Sequence, residues 1–135
     1  ELLEPTALYV ALAKDLFRQD IPLHAVCHIT GDGYMNLTRV EAAVGFCLDD
    51  FPEPLPVFKA IQDRGNVDVA EMYTVFNMGI GLCVVLPAAH ADTVVATSTR
   101  HGYAARVLGR VTDQDGVVQV PQHDLVSRDG KLVRV

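Results

Sequence analysis

The sequence predicts an α+β fold, a mixed β-sheet with helices packed on it. Three observations carry this. Segments with apolar residues at helical spacing alternate with short runs rich in Val, Leu and Ile. Gly, Pro and Asp clusters punctuate nearly every boundary between them. Half of the 135 residues are hydrophobic, enough for one domain of this length to bury roughly two-thirds of its unfolded surface. The whole of 1–135 therefore reads as a single domain, with no internal repeat, linker or low-complexity segment.

Thr6 to Gln19 is the first helix, with Pro5 at its tolerant start. Leu8, Leu12 and Leu16 with Val10, Ala13 and Phe17 are read as one broad apolar face, and Asp20-Ile21-Pro22 stops the helix. Leu23 to Ile29 is a strand, apolar on both faces and so expected at the centre of the sheet. Thr30 to Gly33 is a glycine turn, Tyr34 to Ala42 a short helix and Val44 to Leu48 a strand. Three prolines make 49–56 a loop. Pro56 to Arg64 is a helix ended by Gly65. Asp68 to Phe76 is the next, with Asp68 and Glu71 at capping-box spacing. Ile80 to Leu86 is a strand, Ala88 to His101 a helix ended by Gly102, and Ala104 to Val111 a strand with Gly109 as a bulge. Asp113 to Gly116 is a turn. Val117 to Val120 is a strand, and Leu125 to Val135 a hairpin about Arg128-Asp129-Gly130.

The formal net charge of −6 argues against nucleic acid or an anionic membrane as partner. The longest apolar run, Ile80 to Ala89, is too short to span a bilayer. Cys27, Cys47 and Cys83 lack zinc spacing and read as buried free thiols of a reducing cytoplasm. The first residue is Glu1 rather than Met, which reads as a processed or excised piece. No signal-peptide pattern opens the chain.

Thr30-Gly31-Asp32-Gly33 lies between a strand and a helix, where backbone N–H groups and the helix N-terminus suit a phosphate. No Gly-Lys-Ser/Thr follows, so it is not a P-loop. A plain strand-to-helix turn is the competing reading, and Asp32 would repel an anion unless it points away. His24 and His28 are four apart, about 13 Å along a strand, too far for one metal ion. His28, at the strand end beside the turn, is either a ligand contact or a structural histidine. Asn77 is expected to cap the preceding helix or take the left-handed region. Gly79 and Gly81 leave one face without side chains, for packing or for a ligand. Arg39 is either solvated or within bidentate reach of a phosphate. The acidic loop of Asp49, Asp50 and Glu53 reads as solvated. No metal-ligating cluster and no nucleophile context is recognisable.

Several motifs in order resemble one family. They are Leu2-Leu3-Glu4-Pro5-Thr6-Ala7-Leu8-Tyr9-Val10, His24 to Gly31, Asn36-Leu37-Thr38-Arg39-Val40, Gly65-Asn66-Val67, Glu71-Met72-Tyr73 and Phe76-Asn77-Met78-Gly79-Ile80-Gly81. Together they are similar to the C-terminal domain of aminoimidazole ribonucleotide synthetase, also called phosphoribosylformylglycinamidine cyclo-ligase. Asp32 stands where that family has the middle glycine of a triple-glycine turn, and the segment from Gly33 to Asn36 is one residue shorter. Residues beyond Val120 match nothing in the resemblance.

The resemblance implies a three-layer α/β/α arrangement and half of an active site in a cleft between two domains. It implies a parent enzyme that uses ATP to close the imidazole ring of formylglycinamidine ribonucleotide, giving aminoimidazole ribonucleotide, ADP and phosphate. ATP and magnesium would be held mainly by an N-terminal domain outside this sequence, with none expected in the 135 residues themselves. That N-terminal domain would be the chain's own partner and would form a homodimer, in the cytoplasm. The cleft-lining candidates so implied are His28, Thr30, Gly31, Gly33 and Asn77, with Arg39 further out. A related ATP-using superfamily member and a stand-alone binding or regulatory module are the competing readings.

Overall fold

In the structure, a computed structural model, Leu3 and residues 5–135 are described. The opening of the first motif, at Leu2 and Glu4, lies outside the described residues. The elements run α1 (Val10–Arg18), β1 (Ala25–His28), a 3-10 helix (Gly33–Arg39), β2 (Gly45–Leu48), α2 (Pro56–Gly65), α3 (Val69–Val75), β3 (Leu82–Val85) and α4 (Ala91–Arg100). Four short strands follow: β4 (Gly109–Thr112), β5 (Val118–Val120), β6 (Leu125–Arg128) and β7 (Lys131–Arg134). The fold is α+β, as the alternation of elements predicts.

The strands form two sheets rather than one. β1 pairs with β3 alone, antiparallel, and the other five lie in the order β4-β2-β5-β6-β7. Within the five, β2 and β5 are parallel and every other pair is antiparallel. The strand buried at all of its positions is β2, which lies inside the larger sheet between β4 and β5, and the expectation that 23–29 is central is corrected. The apolarity on both faces of that segment has another cause. The β1–β3 ribbon is a shared wall between two cores. Cys27, Cys83 and Val85 pack on the main core with Ile29, Tyr34, Met72 and Met78. Leu23, Leu82 and Val84 pack on a second core of Leu12, Leu16 and Val94, between α1 and α4. Helices and core, not flanking strands, cover its faces.

α1 is shorter than expected and its apolar face narrower. Only Leu12 and Leu16 are buried, while Leu8, Val10 and Phe17 are 78%, 64% and 66% exposed. At 3.6 residues per turn, Val10 and Phe17 stand about 140–160° around the helix from Leu12. The two triplets therefore belong to opposite faces and cannot meet one core. The segment expected as a helix over 34–42 is a seven-residue 3-10 helix ending at Arg39, entered through Asp32 and Gly33 with positive φ, 74° and 46°. Gly65 closes α2 as its last residue, and the left-handed cap is Asn66, with φ 48°, a conformation its short polar side chain tolerates. Asp68 caps α3 as expected, accepting from Ala70 N–H at 2.8 Å.

β4 begins only at Gly109, which pairs with Leu48 in regular register. It is the strand's first residue and not a bulge. The C-terminal hairpin turns on Asp129 and Gly130, both with positive φ (51° and 76°), the two-residue turn whose twist matches the flanking strands. Through this hairpin the segment after Val120 extends the sheet, and β7 lies against α3, where Leu132 N–H donates to Thr74 Oγ1 at 2.9 Å.

The hairpin side is also joined to α3 through a histidine. Tyr73 Oη lies 2.8 Å from His123 Nε2. Burial first, and Arg134 second, lower the His123 pKa from its ordinary 6.5. The folded chain thus binds this proton less readily than the unfolded chain, and stability present above 6.5 is lost as pH falls below it. Urea midpoints measured from pH 7 down to about pH 5 are expected to fall more steeply for the parent chain than for His123→Gln. Equal slopes would show that this ring does not couple folding to pH.

Candidate functional site

The end of β1 and the start of β3 bring the two glycine-containing turns side by side, which is the proximity a shared cleft requires. Ile29 N–H donates to Gly81 O at 2.9 Å, closing the ribbon where both turns begin. The first turn is closed by Gly33 N–H donating to Thr30 O at 3.0 Å. Its inside is held by Asn36, a residue only 4% exposed. Asn36 Nδ2 donates to Gly31 O at 3.0 Å and Gly33 O at 2.6 Å, with Thr30 O further off at 3.5 Å. In a trans peptide the N–H points opposite to the C=O of the same unit. With the Thr30 and Gly31 carbonyls turned inward to Asn36, the N–H groups of Gly31 and Asp32 project outward.

Gly33 is the fixed point of this turn. Its φ is +46°, and a Cβ there would stand 2.4 Å from Tyr73 O and 2.7 Å from Thr74 O of α3. The second turn is docked by Tyr34, which is fully buried and donates from Oη to Asn77 O at 2.6 Å. Asn77 O also accepts from Ile80 N–H at 2.9 Å, and Asn77 Oδ1 accepts from Gly79 N–H at 3.0 Å. Asn77 neither caps α3 nor adopts the left-handed region, contrary to expectation. Phe76 is the C-cap, and Met78 and Gly79 carry the positive φ values, 49° and 99°.

A depression of about 440 Å³ opens along the outer edge of β1, lined by Ala25 to His28, Thr30, Asn36, Arg39 and Val40. Of the sequence-derived candidates, His28, Thr30 and Arg39 line it. Gly31 is exposed in the adjoining turn, Gly33 is buried against α3, and Asn77 is not among the lining residues. Asp32 is paired with a lining residue of the depression: its Oδ2 lies 2.6 Å from Arg39 Nη2. Both partners are about two-thirds exposed (65% and 66%). Such a pair contributes only about 0–1 kcal/mol, so an anion can displace the carboxylate from the guanidinium. The helix expected to add its dipole here is the short 3-10 helix, whose Met35 N–H is already taken by Asp32 O at 3.0 Å.

His28 is exposed, and its ring meets Tyr9 edge-on at 5.9 Å. Tyr9 also packs on Tyr103 at 5.0 Å, and burial, then Tyr103, push the Tyr9 phenol pKa up. A Cβ at Gly81 would come within 2.1 Å of the Tyr9 hydroxyl, so the missing side chain serves packing. Gly81→Val is expected to displace Tyr9 and cost about 1–3 kcal/mol. Gly79→Ala has room, with Leu55 Cγ at 3.8 Å, and costs only its left-handed strain of about 1 kcal/mol. Urea melts rank the two, and a Gly81→Val protein that melts with the parent would show that Tyr9 does not occupy that space.

The depression is thus lined by Thr30, an imidazole and a guanidinium, with the outward N–H groups of the turn beside it, a set suited to an anionic group such as a phosphate. Among the described residues no three His, Cys, Asp or Glu side chains cluster to hold a metal ion, and none of their helices is long and apolar enough to cross a membrane. Sequence reasoning missed Asn36, Tyr34 and Tyr9 as determinants of the site. Asn36 stood inside a recognised motif, yet nothing in the motif says that its amide gathers the carbonyls of the preceding turn.

Comparison with known proteins supplies the context. The family profile described as "AIR synthase related protein, C-terminal domain" matches residues 1–121. The chain is 44% identical over 118 residues to the phosphoribosylformylglycinamidine cyclo-ligase of Methanopyrus kandleri, covering 87% of this chain and 34% of that protein. It is 42% identical over 114 residues to the protein of the same name from Methanocaldococcus jannaschii, covering 84% and 33%. The Methanothermobacter thermautotrophicus cyclo-ligase is 41% identical over 120 residues, covering 89% and 34%. The chain thus spans about a third of the length of the curated relatives it matches. β6 and β7 lie beyond the matched residues. With the profile covering all but the last 14 residues, the chain belongs to the family of AIR synthase related protein C-terminal domains.

Proposed function

We propose that this chain is the C-terminal part of a phosphoribosylformylglycinamidine cyclo-ligase and contributes one wall of its active site. In that reaction the formyl oxygen of formylglycinamidine ribonucleotide takes the γ-phosphoryl group of ATP. The neighbouring nitrogen then attacks the activated carbon, and phosphate leaves as the imidazole ring closes, giving aminoimidazole ribonucleotide and ADP. ATP and magnesium belong mainly to an N-terminal domain of the same polypeptide, which would also form the homodimer, in the cytoplasm. Supporting this reading are the family membership and the shared name of the relatives. The observation that carries the site is the anion-suited depression at the end of β1, where Thr30, His28 and Arg39 converge. Its part would be to hold the substrate's phosphate or its reacting face, since no nucleophile and base are paired there.

The test uses the full-length protein and the 135-residue chain in parallel, each with formylglycinamidine ribonucleotide, ATP and magnesium. Mass spectrometry of the full-length reaction is expected to show a product lighter than substrate by one water, with one ADP per ring closed. The chain alone is expected to give no product and no ATP hydrolysis above background. Turnover by the chain alone would overturn the half-site assignment. ADP formation without ring closure by the full-length protein would overturn the cyclo-ligase assignment.

A further inference from the structure

Two of the three cysteines face each other directly across the β1–β3 ribbon, in the register Cys27↔Cys83. We propose that Cys27 and Cys83 form a thiol-oxidation site, closed by a low-molecular-weight disulfide into a cross-strand bond that ties β1 to β3 beside the depression. The inference does not depend on the cyclo-ligase reading.

The register makes the geometry specific. Ile29 and Gly81 are a hydrogen-bonded pair, with N–H···O at 2.9 Å. Pairs two residues further along an antiparallel ladder share that type, so Cys27 and Cys83 do as well. Hydrogen-bonded partners have Cα atoms about 5.5 Å apart, inside the roughly 4.4–6.8 Å range of disulfides. Directly opposed residues also project from the same face, and both thiols pack on the main core. Cross-strand Cβ atoms stand about 4.5–5.5 Å apart, with hydrogen-bonded pairs at the wider end, so bonding requires an approach of about 1–2 Å to reach the disulfide range. β1 can supply this, because it pairs with β3 and with no other strand.

The two thiols are not equivalent. Cys27 lines the open depression and is reachable by a small molecule. Burial raises both thiols, and Cys83 is the less reactive partner, since burial first and the adjacent Cys27 second push it up to about 12. This assigns an order. The Cys27 thiolate attacks one sulfur of the reagent disulfide, breaking that bond, and releases one thiolate. The mixed disulfide on Cys27 is then attacked by the Cys83 sulfur, whose proton passes to the released thiolate or to water, and the second thiol departs. Two protein thiols are oxidised to one disulfide while one reagent disulfide is reduced to two thiols. Cys47 takes no part, being buried in β2 of the other sheet.

Folded protein is incubated with glutathione disulfide, alkylated and analysed by intact mass and peptide mapping. The expected result is loss of two hydrogens, a cross-link between the peptides containing Cys27 and Cys83, and an alkylated Cys47. Cys83→Ser is expected to stop at a glutathione adduct on Cys27, and Cys27→Ser to remain unmodified at Cys83. Should either variant fail to fold, the peptide map of the parent chain still decides. Cys27 and Cys83 both alkylated, each capped by glutathione, or cross-linked to Cys47 would overturn the proposal. Amide exchange adds a readout of the tether: Ile29 N–H is expected to exchange several-fold more slowly in the oxidised protein, and an unchanged rate would overturn the claim that the bond holds the ribbon.

Discussion

Gly33→Ala is expected to cost about 3 kcal/mol. Two effects add. Left-handed φ costs an alanine about 1 kcal/mol relative to glycine. The new methyl would also enter space held by backbone, at 2.4 Å from Tyr73 O and 2.7 Å from Thr74 O. A flexible side chain could swing away from such an overlap, whereas α3 can only shift as a body, and overpacking of that kind costs about 1–3 kcal/mol. Urea and thermal melts check the result, with a drop in Tm of roughly 10 °C for a domain of this size. The full-length protein should lose substrate affinity together with stability, because the same displacement tilts Thr30 and the outward N–H groups. A Gly33→Ala protein with unchanged melts would mean that α3 does not close over this turn.

Asn36→Asp is expected to be comparably severe at neutral pH and to recover on acidification. The amide of Asn36 donates to Gly31 O and Gly33 O at 3.0 and 2.6 Å. Asn36→Ala removes these bonds and leaves carbonyls without partners, at roughly 1–3 kcal/mol. A carboxylate in the same place would face carbonyl oxygens in place of the present donor, and a buried charge left uncompensated costs roughly 3–5 kcal/mol. The protonated acid restores one donor. Its folded pKa is therefore raised above the ordinary aspartate value of about 3.9. Stability is then present below the unfolded pKa and lost as pH rises through the folded one. Urea midpoints of both variants from pH 4 to 8 decide it. An Asp variant that tracks the Ala variant at every pH would place residue 36 outside the carbonyl cluster.

Much of this architecture is legible in the chain. The caps and turns follow local chemistry: Asp68 before α3 and the Asp129-Gly130 turn act within a few residues, and the end of α2 was legible to within one residue, at Asn66 instead of Gly65. The two glycine turns are visible for the same reason. Sheet membership is not legible. Leu23 to Ile29 is apolar on both faces, and that pattern reports how many faces are covered, not what covers them. Here helices and core cover β1, so a strand that reads as central pairs with one neighbour only. The broad face assigned to α1 fails similarly, since a count of apolar residues at near-helical spacing does not fix their angle around the axis.

From the sequence alone came the α+β class, the family resemblance, and His28, Thr30 and Arg39 as candidates that prove to line one depression. These depend on residue type and short-range spacing, which a linear string retains. Only the tertiary structure decided that Asn36 holds the first turn, that Tyr34 docks it on Asn77, and that Cys27 faces Cys83. The Tyr34 and Cys83 contacts join residues more than 40 positions apart, and for Asn36 the decisive fact is the direction of its amide. Both depend on chain reversals and strand register, which are set by the packing of the whole core.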